Sequence, residues 1–168
     1  MGLFKKLFKG SKKKEVPIER NLMSILPGDI IMYFGEDYEV TATVEWVEDG
    51  YSWKEYKLTN KGKAFWISAE IDDGEVSAGF YEVVEDIDFH ENKKELKYRD
   101  MVFKFEEKGK AQGVLTSKLG KQNYKCKYYQ YETEDGSQKI SIEDYDGEME
   151  MSIGEDLKQN EVNILPGS

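Results

Sequence analysis

At 168 residues the chain is long enough for one well-buried domain, or two small ones, without disulfides. It carries 34 acidic residues against 24 basic ones, and the imbalance is uneven: residues 1–20 hold seven cations against Glu15 and Glu19, leaving 17 basic and 32 acidic residues in 21–168. A body of that sign repels phosphate backbones, which argues against nucleic acid as a partner of the folded part. The single Cys126 excludes an internal disulfide, and no apolar run approaches the roughly 18 to 20 residues of a bilayer span.

The chain opens on Met1-Gly2-Leu3-Phe4-Lys5-Lys6-Leu7-Phe8-Lys9-Gly10, in which Leu3, Phe4, Leu7 and Phe8 share one face at helical spacing and Lys5, Lys6 and Lys9 lie largely on the other. Such a segment suits the headgroup layer of an anionic membrane, each lysine contributing on the order of 1 kcal/mol. Four large apolar residues make a short anchor, so binding by this segment alone is expected to be weak and reversible. The competing reading of residues 1–20 is a basic, solubilising tail: Gly10 to Lys14 has linker composition, and so short a segment does not hold a free helix. N-myristoylation is excluded by Lys6, which stands where the pattern needs Ser or Thr.

Strand signals follow. Leu26-Pro27-Gly28-Asp29 leads into a short apolar strand, Ile30 to Phe34, which Gly35-Glu36-Asp37 turns. Tyr38, Val40, Ala42, Val44 and Trp46 then alternate with Glu39, Thr41, Thr43 and Glu45, the period of a half-exposed antiparallel strand with one apolar face. After the turn Glu48-Asp49-Gly50, the pattern returns in Phe65, Ile67, Ala69 and Ile71, with Trp66, Ser68 and Glu70 pointing the other way. Asp72-Asp73-Gly74 reads as a hairpin turn whose glycine supplies a positive φ, and Val76, Ala78 and Phe80 form the next strand. Asp86 to Asp100 is a connection, in which Ile87 and Phe89 extend the preceding strand and Asn92 to Lys97 is polar enough for a loop or one helical turn.

Beyond that connection the chain repeats itself. At a constant offset of 73 residues, Tyr51 falls on Tyr124, Lys54 on Lys127, Tyr56 on Tyr129, Ile67-Ser68 on Ile140-Ser141, Glu70 on Glu143, and Asp73-Gly74-Glu75 on Asp146-Gly147-Glu148. Upstream the match resumes at an offset of 71, with Asp29 on Asp100, Ile31 on Val102 and Phe34 on Phe105. A repeat of this length means two copies of one supersecondary unit. The expected fold is therefore all-β: two internally repeated antiparallel units of about five strands, 21–86 and 87–168, each an SH3-like barrel or a meander, in pseudo-twofold arrangement. Ile164-Leu165-Pro166-Gly167 echoes Ile25-Leu26-Pro27-Gly28, so the two segments are expected to pack equivalently against the two copies.

Leu26-Pro27-Gly28-Asp29, Gly35-Glu36-Asp37-Tyr38-Glu39-Val40, the run from Glu48 to Leu58 with its Trp53-Lys54-Glu55-Tyr56-Lys57-Leu58, and Trp66-Ile67-Ser68 resemble the bacterial domain-of-unknown-function family 4178. The resemblance covers about 25–84; the second copy departs from it with Cys126 in place of Trp53 and Lys139 in place of Trp66. It implies a small bacterial β protein with no assigned activity and an envelope-associated role, and it carries no catalytic residues.

Candidate chemistry is sparse. His90 is the lone histidine, unaccompanied by any metal, nucleophile or phosphate-binding motif, and reads as an ordinary residue of the connection. Cys126 reads as a small core hydrophobe. Glu70 to Asp73 and Glu143 to Asp146 fit hairpin turns better than a metal site. The aromatic residues are the stronger lead: Tyr128, Tyr129 and Tyr131 crowd one strand, with Trp53 and Tyr56 in its counterpart. Successive strand residues face opposite sides, so Tyr128 and Tyr129 belong to different faces, and one of them is expected on an outer surface.

Trp53, Tyr56, Trp66, Tyr129 and Tyr131 are accordingly candidate contacts to a protein partner, with packing between the copies as the competing explanation. The leading expectation is a non-catalytic cytoplasmic interaction module that reaches the inner membrane face through Leu3 to Lys9, requires no cofactor or metal and binds no nucleic acid. The alternative is a small-ligand-binding or enzymatic domain with its site between the copies, where Glu70, Glu143, Tyr56 and Tyr129 would converge.

Overall fold

The computed structural model describes residues 19–167. The membrane-binding residues proposed above, Leu3 to Lys9, lie outside them. Eleven strands run in chain order: β1 (Ile30–Tyr33), β2 (Glu36–Glu48), β3 (Tyr51–Asn60), β4 (Lys63–Asp72), β5 (Glu75–Val84), β6 (Glu95–Tyr98), β7 (Met101–Ser117), β8 (Gly120–Glu132), β9 (Lys139–Tyr145), β10 (Glu148–Leu157) and β11 (Val162–Leu165), the last preceded by a 3-10 turn. All pairings are antiparallel, as the period-two patterning requires.

The strand order is β11-β1-β2-β3-β4-β5-β10-β9-β8-β7-β6, with β2 also paired to β7. Each half is thus a five-strand meander. Neither half closes on itself, because β1 takes β11 as its second neighbour rather than β5. Closure is made across the halves: β5 pairs with β10 and β2 with β7, so eight strands, β2-β3-β4-β5-β10-β9-β8-β7, form a ring.

The later strand bounds follow the offset of 73, β10 standing on β5 to the residue. The earlier ones do not follow 71. β6 and the β6–β7 turn stand on β1 and the β1–β2 turn at an offset of 65, so that Ile31 corresponds to Leu96, Tyr33 to Tyr98 and Tyr38 to Phe103, all six of them buried. The two turns share their backbone, with positive φ at Phe34 and Gly35 in one and at Arg99 and Asp100 in the other. The β7–β8 hairpin is longer than β2–β3 in both arms, which accounts for the slip between offsets. Asn92 to Lys97 therefore contains the start of a strand, β6, and is no helical turn; four residues reading Glu-Leu-Lys-Tyr carry too little pattern to show it.

Three clusters fill the molecule. One lies in the first half around Ile31, Val40, Tyr56, Leu58 and Ile67, and a second in the other half around Leu96, Phe103, Tyr129, Tyr131, Ile140 and Ile142. Burying a side chain such as Ile67 or its counterpart Ile140, both without exposed surface, contributes about 1.5–3 kcal/mol. The third cluster, Val44, Trp46, Trp66, Ala111 and Cys126, sits inside the ring.

One strand serves two of these clusters because its register shifts. Between Val40 and Ala42 the pairing of β2 with β3 skips a residue, so Val40 faces Leu58 while Val44 faces Glu55. A one-residue bulge flips every later side chain to the other face. Tyr38 and Val40 thereby enter the first core, and Val44 and Trp46 enter the ring. β7 bulges at the corresponding place, between Phe105 and Glu107.

The two Ile-Leu-Pro-Gly segments do not pack equivalently. Both belong to the first half: β11 adds to β1, and the Gly167 amide donates to Asp29 Oδ1 at 2.9 Å. Leu157 and Val162 likewise bury in the first core, so the 87–168 unit lends its C-terminal end to its neighbour. Ile87, by contrast, packs into the second core, with Phe89 against it.

Candidate functional site

The face of each ring strand that turns from the two outer cores turns into the lumen. There Trp46 and Glu48 of β2, Trp53 and Glu55 of β3, Trp66, Ser68 and Glu70 of β4, Tyr81 of β5, Tyr128 of β8, Ser141 and Glu143 of β9 and Ser152 of β10 line a cavity of about 820 Å³. An eight-stranded closed sheet has an interior just wide enough to be filled by side chains or to hold one small ligand. Here it is incompletely filled. Exposed Asp49, Tyr51, Glu106, Glu107 and Lys108 stand at its rim.

Backbone register seats the aromatic wall. Trp46 lies directly across from Gly113, Tyr128 from Gly109 and Tyr81 from Gly154. A Cβ at Gly113 would strike the Trp46 ring, and one at Gly154 would strike the Tyr81 ring and the Phe80 carbonyl. Glycine in a strand interior marks such close approach. Replacing Gly113 by Val is expected to cost about 1–3 kcal/mol, because the added side chain drives the Trp46 indole off its stack with Trp53. Urea denaturation reads the loss, and a red shift of tryptophan emission from the folded state reports the movement of Trp46.

All three tryptophans of the chain, Trp46, Trp53 and Trp66, line this one cavity. Trp46 and Trp53 stack at 6.5 Å between ring centroids, and Tyr128 meets Trp53 edge-on at 5.9 Å. The Trp66 indole N–H donates to Glu150, the Tyr128 hydroxyl to Glu48 and the Tyr51 hydroxyl to Glu70. Lys57 places its ammonium 5.7 Å from the centre of the Trp66 ring.

Carboxylates set the electrostatics. Eight acidic residues line the cavity against Lys108 and Lys139, and Lys139 is already paired with Asp156 at 2.8 Å. Glu55 and Glu143 lie deepest. Burial pushes the Glu55 carboxyl up to about 7, with the charge of Glu150 acting in the same direction. Burial also holds Glu143 well above the usual carboxylate range, the Glu55 charge raises it further, and Tyr145 donates its hydroxyl to Glu143 Oε2 at 2.6 Å. The indole N–H groups of Trp46 and Trp53 lie near enough to Glu55 to favour its ionised form. No hydrogen bond of good geometry forms, however, and both Glu55 Oε2 and Trp46 Nε1 are buried without a partner. Native interiors seldom leave such groups unpaired.

The aromatic candidates sort by strand face. Trp53 and Trp66 line the cavity, while Tyr56 is buried in the first core and Tyr129 and Tyr131 in the second, with Tyr131 also touching the cavity wall. Those three tyrosines are therefore packing residues and have no free surface for a partner. Tyr128 and Tyr129 do face opposite sides, but neither side is an outer one, because the second face is the lumen wall. Of the four residues expected to converge between the copies, Glu70 and Glu143 line the cavity and Tyr56 and Tyr129 do not. Glu55 and Tyr145 stood in runs quoted from the sequence but were not singled out as site residues, and Glu150 was not noticed; the signal that marks the lumen was the interior-strand glycines opposite aromatics.

Burial raises the Cys126 thiol, with the charges of Glu143 and Glu55 acting in the same direction, which keeps it a thiol rather than a nucleophilic thiolate. His90 is exposed on the connection between the halves.

Fold and site together define an all-β protein whose closed sheet encloses an acidic, aromatic-walled cavity. Residues 26–159 match the family described as Domain of unknown function (DUF4178), and the chain belongs to that family. No curated protein and no solved structure matches it.

Proposed function

We propose that the protein binds a small molecule in the lumen between its two halves, and that it acts by binding rather than by catalysis. The observation that carries this reading is the cavity of about 820 Å³, walled by every tryptophan in the chain and holding two buried polar atoms, Glu55 Oε2 and Trp46 Nε1, that no protein group satisfies. Ligand sites are typically concave, mostly aromatic or apolar, and furnished with a few convergent polar groups. A protein that needed these side chains only for stability would gain by filling the space, since an unfilled lumen forfeits contacts on every wall.

The ligand reading takes precedence over the protein-interaction one because the tyrosines offered for partner contact are core residues. A protein partner and the anionic membrane surface remain roles for the rest of the molecule, separate from the cavity.

Tryptophan emission tests the proposal, since all three indoles report on the same space. A panel of small neutral, anionic and cationic compounds is titrated against the full chain while emission and thermal midpoint are followed. At least one charge class is expected to change the emission saturably and to raise the midpoint, as any ligand selective for the native state must. Failure of every class to move either signal would sink the reading.

A further inference from the structure

The lumen does more than offer space: its walls select a kind of ligand. Eight acidic side chains line it: Glu48, Glu55, Glu70, Glu132 and Glu143 stand on five strands of the closed ring and face its interior, and Asp49, Glu106 and Glu107 stand at the exposed rim. Such an arrangement focuses a negative potential into the cavity. The two lysines at the lining do not neutralise it, because Lys108 is exposed at the rim and Lys139 is engaged by Asp156. An anion placed inside would meet uncompensated repulsion, and a neutral apolar molecule would leave Glu55 Oε2 without a partner.

Aromatic faces narrow the choice among cations. Calcium and magnesium require six or more oxygen ligands drawn close around one point, whereas indole and phenol rings form much of this wall and, among the described residues, no group of three acidic, His or Cys side chains converges to hold a metal ion. Ring faces attract cations whose charge is spread over a larger, poorly hydrated body. The protein already makes one such contact with its own ammonium group, Lys57 over Trp66. The unpartnered Glu55 Oε2 stands ready to accept from a donor that the protein does not supply.

We infer that the lumen binds an organic ammonium cation, whose charge holds Glu55 and Glu143 ionised as its counter-charges, with Trp46, Trp53 and Trp66 against its alkyl body. This rests on the ligand-binding reading above and adds the ligand's chemical class. Glu55 and Glu143 come from opposite halves, one on β3 and one on β9, so each half contributes one counter-charge and neither half alone completes the site. Glu48 and Glu70 hold Tyr128 and Tyr51 by hydrogen bonds and so fix two of the rings around the approach to it.

The test uses the full chain and four probes of similar size, two cationic, one neutral and one anionic: n-butylammonium, tetramethylammonium, 1-butanol and butyrate, each as a titration at constant ionic strength held with potassium chloride. Indole N–H resonances of the three tryptophans are followed by NMR, with calorimetry for affinity. Both ammonium ions are expected to shift the indole signals saturably, and 1-butanol and butyrate to bind at least about tenfold more weakly. Glu55→Gln and Glu143→Gln should each weaken ammonium binding by about tenfold or more, while Glu39→Gln, the same charge change on the exposed face of β2, should leave it unaltered.

Equal binding of 1-butanol and n-butylammonium, or indifference to both lumen substitutions, would overturn the cation assignment while leaving a ligand cavity in place. Equal weakening by Glu39→Gln would also overturn it, by showing that the overall field rather than these two groups attracts the probe. If no probe of any charge perturbs the indoles, the ligand-binding reading falls with it.

Discussion

The protein is expected to lose stability as pH rises from about 5 to about 7.5, opposite to the usual behaviour of an acidic protein held together by surface carboxylate pairs. The cause is Glu55, whose carboxyl is pushed up to about 7 by burial and by the neighbouring charge of Glu150. A carboxyl with a higher pKa in the folded state binds more protons there than in the unfolded chain throughout the interval between the two values. Folding free energy then falls with rising pH across that interval. The cost of the buried charge is absent below about 4.5, grows through the interval and is complete above about 7, for a total of about 3 kcal/mol.

Glu143 contributes in the same direction and is coupled to Glu55, so the two protons leave in steps that belong to the pair rather than to either residue. Glu36 and Asp135, which hydrogen bonds hold below their ordinary values, act with the opposite sign but only at more acid pH, below the window in question. Urea denaturation at pH 5, 6, 7 and 8 measures the slope. In Glu55→Gln most of it should vanish and the neutral-pH stability should rise, since the amide carries no charge to desolvate. Stability that is flat or rising from pH 5 to 7.5 in the unmodified protein would show that the lumen is wetter than its geometry indicates.

The same pair explains why the site was harder to read from the sequence than the strands. Period-two alternation identified the body of β2, β4 and β5 and their exposed turns, because a strand with one buried face prints its geometry directly into the residue order. What alternation does not encode is which core a face belongs to. Tyr38 to Trp46 reads as one apolar stripe, and only the bulge at Thr41 sends its first half outward to one core and its second half into the ring.

Ring closure was equally silent. The β2–β7 and β5–β10 pairings join residues distant in sequence through edges that look like any other strand edge. Without closure, Glu55 and Glu143 are two solvent-facing glutamates on separate sheets; with it they share one interior. Trp53 and Trp66 were picked out for their chemistry and do line the cavity, whereas Tyr56 and Tyr129 share that chemistry and went to the cores, because strand parity decided the matter.

Asp29→Ala is expected to cost the fold about 3–5 kcal/mol, the range for breaking a buried ion pair by removing one partner. Asp29 is 1% exposed and ties three segments together. Its Oδ2 accepts from Arg20 Nε at 2.8 Å and from the Leu26 amide at 2.9 Å, and its Oδ1 accepts from the Gly167 amide at 2.9 Å. Alanine leaves two backbone amides without acceptors and strands the largely buried Arg20 guanidinium; each orphaned donor adds about 1–3 kcal/mol of desolvation that relaxation only partly relieves. Against a total of roughly 5–15 kcal/mol, that is enough to unfold a sizeable fraction of the chain at 37 °C.

Asp29→Asn should fall between the two, because its single carbonyl can serve one amide while its NH₂ faces the others as a second donor. The backbone of Asp29 carries the effect toward the lumen: its carbonyl accepts from Val40 N at 2.9 Å, and Gly28 N donates to Val40 O at 2.8 Å, immediately before the Thr41 bulge that turns Trp46 inward. Loosening this knot therefore weakens the C-terminal strand β11 and the start of the tryptophan wall together. A urea midpoint for Asp29→Ala within about 1 kcal/mol of the parent would mean that the three segments are held by their strand pairing alone.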